Sequence, residues 1–130
     1  MKPLNKELVM TQEDKELLLK DLCARVPYGV KVQYMNNIFV IDYVSSYEEV
    51  KLDVPDNYTV GISEVKPYLF PLSSMTEKQK KEYQYITERW MYDSSYSISD
   101  STDWLNKNHF DYRGLIEKGL AIDATGLNIY

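Results

Sequence analysis

His109 is the single imidazole among 130 residues, so any scheme with a histidine general base must run through it. Cys23, Ser73 and Ser74 are the nucleophiles such a base could activate, and Asp103 or Asp111 the carboxylates that could orient it. No nucleophile motif surrounds any of them. A histidine two residues before a helix-capping aspartate fits a local packing role better. Cys23 falls on a helix stripe where burial would leave the thiol inert. An enzyme centred on His109 is therefore the weakest of three functional readings.

Asp93, Asp100 and Asp103 could offer oxygen ligands to a hard cation. They lack the Asp-x-Asp-x-Asp-Gly order and closing glutamate of a calcium loop, and read as solvated turn residues. With one histidine and one cysteine, a zinc site would have to be completed by carboxylates. The five glycines are scattered singly and build no phosphate loop. Pro67 and Pro71 are four apart, off the three-residue period of a polyproline ligand. Asn57-Tyr58-Thr59 matches the glycosylation triplet, but the polar start of the chain has no secretory character. No cofactor and no metal are expected.

The aromatic residues are the more telling group. Twelve tyrosines, three phenylalanines and two tryptophans supply rings that bury area while keeping a polar tip at the surface, which suits contact sites. Tyr28, Tyr43, Tyr68, Trp104, His109, Tyr112 and Arg113 are the candidate binding residues. Net charge is -5; residues 26–70 carry three bases against six acids, and 93–130 again three against six. A surface that neutralises phosphates needs clustered Lys and Arg, so nucleic acid is disfavoured as a partner. The leading expectation is a non-enzymatic module binding another protein, with a second copy of this chain as an alternative partner. Single-stranded nucleic acid stacking on an aromatic sheet face comes second.

These residues must be held by elements that the periodicity outlines. Thr11 caps a helix over 11–25, with Asp14 three residues on and an apolar stripe of Leu18, Leu19, Leu22, Cys23 and Val26; Pro27 ends it. Leu4, Leu8 and Val9 could add a short turn in front. From Val30 the period becomes two, and Asn36-Asn37 marks a tight hairpin turn before 38–41. Strands over 49–54 and 58–65 complete an antiparallel meander. In the junction 66–79, Pro67 and Pro71 rule out a central strand and favour an extended edge segment laying Tyr68 and Phe70 onto the core. Thr76 with Gln79 is a capping box opening a helix whose face is Met75, Gln79, Tyr83, Ile86 and Trp90, with Glu77 placed to support Lys81. Residues 93–103 read as a flexible loop. Ser101 or Thr102 can cap a short helix carrying Trp104 and Leu105, and Asp111 a second that Gly119 ends. The expected fold is α+β in one domain over 1–130: an N-terminal helix, a small curled antiparallel sheet or partial barrel, a long amphipathic helix and a C-terminal helical hook.

Three blocks have distinctive wording: 17–32, with Arg25-Val26-Pro27-Tyr28-Gly29-Val30; 66–76, with Lys66-Pro67-Tyr68-Leu69-Phe70-Pro71; and 103–122, with His109-Phe110-Asp111-Tyr112-Arg113-Gly114. On these the chain resembles a family of small proteins of uncharacterised activity from gut anaerobic bacteria and their prophages, whose members begin near Met10. The resemblance implies a bacterial or phage-derived origin, with residues 1–9 an addition at the front. It implies no functional residue. One cysteine, no secretory start and no apolar run of membrane-spanning length make the cytoplasm the expected location.

Overall fold

The computed structural model describes residues 10–45, 47–57, 59–89, 91–93 and 97–130. The fold is α+β: three helices and a seven-stranded mixed sheet among the described residues. The expected turn through Leu4, Leu8 and Val9, the ring of Trp90 and the middle of the serine-rich segment lie outside them.

Helix α1 (Gln12–Arg25) starts where Thr11 Oγ1 accepts from the Asp14 amide at 3.1 Å. It buries Leu18 and Leu22, with Leu17 and Leu19 partly buried against the same core. Cys23, expected on that stripe, is exposed instead. The reason is angular: Leu18, Leu22 and Arg25 are four and three residues apart and share one face, which Asp21 also borders, while Cys23 turns about 100° away from Leu22.

Strands β1 (Lys31–Tyr34) and β2 (Asn37–Val44) form the hairpin. Its turn is centred one residue earlier than expected, on Met35 and Asn36, whose φ values of 48° and 65° make a primed turn. β2 pairs with β3 (Glu49–Leu52) across a bulge between Ile41 and Tyr43, and β3 with β4 (Val60–Gly61). Of the strand expected over 58–65, Tyr58 lies outside the described residues and the described part pairs only at Val60–Gly61, because the chain next winds into a 3-10 turn over Ile62–Glu64.

The largest departure is β5 (Lys66–Pro71), which is central. It pairs antiparallel with β1 and parallel with both β6 (Phe110–Asp111) and β7 (Ile122–Asp123). Successive residues of a strand turn their amides to opposite edges. The Phe70 amide donates to His109 O, whereas Leu69 O accepts from the Ala124 amide, so β6 and β7 flank β5 on opposite sides. Pro67 sits where its missing donor is tolerated, and Pro71 closes the strand. The sheet is thus mixed rather than wholly antiparallel.

After a 3-10 turn over Leu72–Ser74, the capping box opens α2 (Glu77–Arg89): Gln79 N donates to Thr76 Oγ1 and Thr76 N to Gln79 Oε1. Glu77 pairs with Lys80 rather than Lys81. Helix α3 (Ile98–Lys107) begins earlier than expected, because Ser97 and Asp100 form their own capping box. Trp104, Leu105 and Phe110 make a second core with Met75, Tyr83 and Ile86, separate from the main one under α1. The second helix of the expected hook is absent. Asp111 does accept from the Leu115 and Ile116 amides, and Gly119 does take a left-handed φ of 75°, but 114–121 stay as turns before β7. None of the described helices is long and apolar enough to cross a membrane.

Candidate functional site

Strand β6 is the hub on which most of the candidate residues converge. Asn108 closes α3, and His109 at φ 62° swings the chain into β6. Behind Phe110 lies Trp104, stacked at 5.7 Å and 13°, with Tyr83 against the indole. Before it, the His109 ring stacks on Tyr130 at 3.7 Å and 12°.

Tyr130 fills a gap in the sheet. The β1–β5 register pairs Gln33 with Lys66 and Val32 with Pro67, so the next rung would join Lys31 to Tyr68. In its place the Tyr130 hydroxyl accepts from the Lys31 amide and donates to Tyr68 O, each at 2.8 Å. Lys31 Nζ donates to Ile129 O at 2.6 Å and lies over the Tyr130 ring. Burial of the hydroxyl pushes its pKa up to about 12, so it stays a neutral donor at physiological pH.

On the other side of β6, Asp21 and Arg25 are wholly buried and paired at 2.9 Å. Arg25 Nη2 donates to Phe110 O at 2.6 Å, and Arg113 reaches Asp21 at 3.1 Å while donating to the Tyr112 hydroxyl. Burial pushes the Asp21 carboxyl above its ordinary value against the pull of the two guanidiniums. Arg25 Nη1 has no partner. Helix α1 is thereby pinned to β6 by a charged bolt, an arrangement that costs desolvation but strongly penalises removing one member.

None of this makes a catalytic centre around His109. Burial, with the nearby charges of Arg25 and Lys31, lowers its pKa to about 4, and its Nδ1 lacks a hydrogen-bond partner. Asp111 is spent on its two amides, and Asp103 is exposed on α3. Ser74 Oγ donates to Pro71 O, Ser73 and Cys23 are exposed, and none of them bonds to the imidazole. Asp93 and Asp100 are engaged with Arg89 and the Ser97 amide. Among the described residues no three metal-ligating side chains cluster.

Five of the seven candidates, Tyr68, Trp104, His109, Tyr112 and Arg113, therefore surround β6, but as internal framework: the first three are buried and the last two are locked to each other and to Asp21. Tyr28 and Tyr43 are exposed instead. The sequence reading missed the apolar surface beside Tyr43. Ile38 pairs with Gln33 and Val40 with Lys31, while their neighbours Val32 and Phe39 pack inward. Beyond the bulge Tyr43 pairs with Lys51, on the face opposite Val50 and Leu52; Lys51 is itself buried, its ammonium donating to Leu52 O and Val54 O, while the Tyr43 ring beside it stays exposed. Ile38, Val40 and Tyr43 thus form a row on the outer face of β2, and Met35 stands at its end. Met35, Ile38 and Tyr43 are 74%, 51% and 48% exposed. The signal was available in the unbroken run Ile38-Phe39-Val40-Ile41, which is apolar on both faces.

Comparison with protein families, with curated proteins and with solved structures finds no match to this chain.

Proposed function

We propose that the protein is a non-enzymatic contact module that binds another protein through the outer row of β2. Met35 carries the argument. It is three-quarters exposed and held at φ 48°, at a turn position where asparagine or glycine would relieve both backbone strain and apolar exposure. Folding gains nothing from a methionine there, and left-handed backbone kept under an exposed apolar side chain is a mark of use. A flexible, polarisable thioether is also well suited to adapting to a partner.

Exposed Asp42 and Glu49 flank the row, so the fitting partner has an apolar patch with a basic rim. The overall charge of -5 makes two copies of this chain a poorer match. Base stacking has little to work with on this face: Tyr34 and Phe39 pack against the core and only Tyr43 is free. A photocrosslinking residue at position 38 or 43, in the native host, is expected to give one discrete protein adduct that Met35→Lys abolishes. The reading fails if adducts are no more frequent than from the same probe at Lys78, on the solvated side of α2.

A further inference from the structure

A cavity of about 230 Å³ opens between β5, β6, the start of α2 and the turn after β7. Phe70 and Phe110 form its floor, with centroids 6.1 Å apart, and the Trp104 ring stacks behind Phe110. An apolar cavity of about 150 Å³ holds benzene; by proportion this one takes a planar group of about nine heavy atoms.

The rim is polar and carries no charge. Gln79 Oε1 is committed to the Thr76 amide, which leaves both hydrogens of Nε2 to donate. Ser74 Oγ gives its hydrogen to Pro71 O at 2.6 Å, which leaves its lone pairs to accept. Both residues line the cavity beside the hydroxyls of Thr125 and of Thr76, whose Oγ1 accepts from the Gln79 amide, so the rim includes an amide donor in Gln79 and a hydroxyl acceptor in Ser74. That pair complements a carbonyl next to a ring N–H, the lactam edge of an oxo-heterocycle. No Lys or Arg lines the cavity, so nothing there would neutralise a phosphate. Gly126, at φ 76°, forms part of the wall without a side chain.

We propose that this cavity binds an uncharged planar bicyclic lactam of 6-oxopurine type, as the free base and not as nucleotide. The ring system would lie on Phe70 and Phe110 with its carbonyl on Gln79 Nε2 and its N–H on Ser74 Oγ.

The test is an NMR titration of the full chain with hypoxanthine, alongside unsubstituted purine and inosine monophosphate. Saturable shifts of the Gln79 side-chain amide and the Gly126 backbone amide are expected for hypoxanthine. Purine, which lacks the carbonyl, should bind at least tenfold more weakly, and so should the monophosphate. Gln79→Glu keeps an oxygen for the Thr76 amide, and with it the helix cap, but removes the donor; it should weaken hypoxanthine at least tenfold with an unchanged fold by amide dispersion. No shift at those two groups up to about 1 mM, close to the weakest useful affinity on the usual scale, would overturn the proposal. So would equal binding of hypoxanthine and purine, or equal binding to the Gln79→Glu protein.

Discussion

Acidification below pH 7 should destabilise the protein through His109. The ring is held neutral, with its pKa lowered from 6.5 to about 4 by burial and by the charges of Arg25 and Lys31. The unfolded chain therefore binds a proton near pH 6.5 while the folded chain refuses it until near pH 4. In that window the unfolded state holds more protons, so stability is full above pH 6.5 and falls as the pH drops. Lowering a pKa tenfold in proton affinity corresponds to about 1.4 kcal/mol, giving about 3 kcal/mol for the whole displacement. Tyr130, which covers one face of the ring, is itself 41% exposed, and screening through that edge cuts the effect to about half. The expected loss is about 1 kcal/mol between pH 7 and 5, since each further pH step in that range adds less than the unscreened value of about 1.4 kcal/mol. Asp21 acts in the opposite sense: its carboxyl is raised on folding, so its contribution grows as the pH falls through the range between its unfolded and folded values. His109→Asn separates the two, because asparagine tolerates the left-handed backbone and does not titrate. Urea unfolding at pH 7, 6 and 5 should show a sloping midpoint for the native chain and a flat or reversed one for the variant. A native curve with no slope, or the same slope in both proteins, would refute the account.

Asp21→Asn leaves the Arg25 and Arg113 guanidiniums without their shared anion, and should cost about 3–5 kcal/mol in urea unfolding, the range for breaking a buried pair. A loss under 1 kcal/mol would mean that the bolt is hydrated rather than dry. Met35→Asn relaxes the primed turn and should raise stability by a few tenths of a kcal/mol, up to about 1, while abolishing the crosslink from position 38; loss of stability together with retained crosslinking would contradict the role given to Met35. Thr11→Ala removes the cap on α1 and should cost about 1 kcal/mol by thermal or urea unfolding, with no effect on the crosslink.

How far the residues disclosed this architecture depends on how local the determining physics is. Thr11, Thr76 and Gln79 announce their helices because a cap is settled within four residues of chain. The hairpin was legible for the same reason, although Asn36-Asn37 was expected to make the turn and the register moved it one residue back, onto Met35 and Asn36. The place of β5 was not legible. Two prolines argue against a central strand that carries one continuous ladder, but here β1, β6 and β7 each pair with only two residues of β5, and the gap beside Tyr68 is bridged by a tyrosine hydroxyl from 62 residues away in sequence. Nothing near Tyr68 encodes that partner. Asp21 and Arg25 stand between the two cases. Their four-residue spacing is visible, and so is their adjacency to Leu18 and Leu22. A charged pair at that spacing is ordinary on a solvated helix face, and it becomes a buried bolt only when Arg113 and Phe110 O arrive from the far end of the chain.

That division separates framework from use. His109, Tyr112, Arg113 and Trp104 drew notice as chemically rich residues, and the fold spends each of them on holding β6 against α1, α3 and the Tyr130 ring. Met35 and Ile38 drew none, being ordinary apolar residues in a strand and its turn. They gain meaning from the register, which turns Ile38 outward beside Lys31 and Gln33 and leaves Met35 strained at the tip. In a chain of this length, buried rings and charges report how the fold closes. The residues that gain nothing from that closure are where contact with a partner should be sought, and the Met35→Asn comparison asks whether stability and binding part company there.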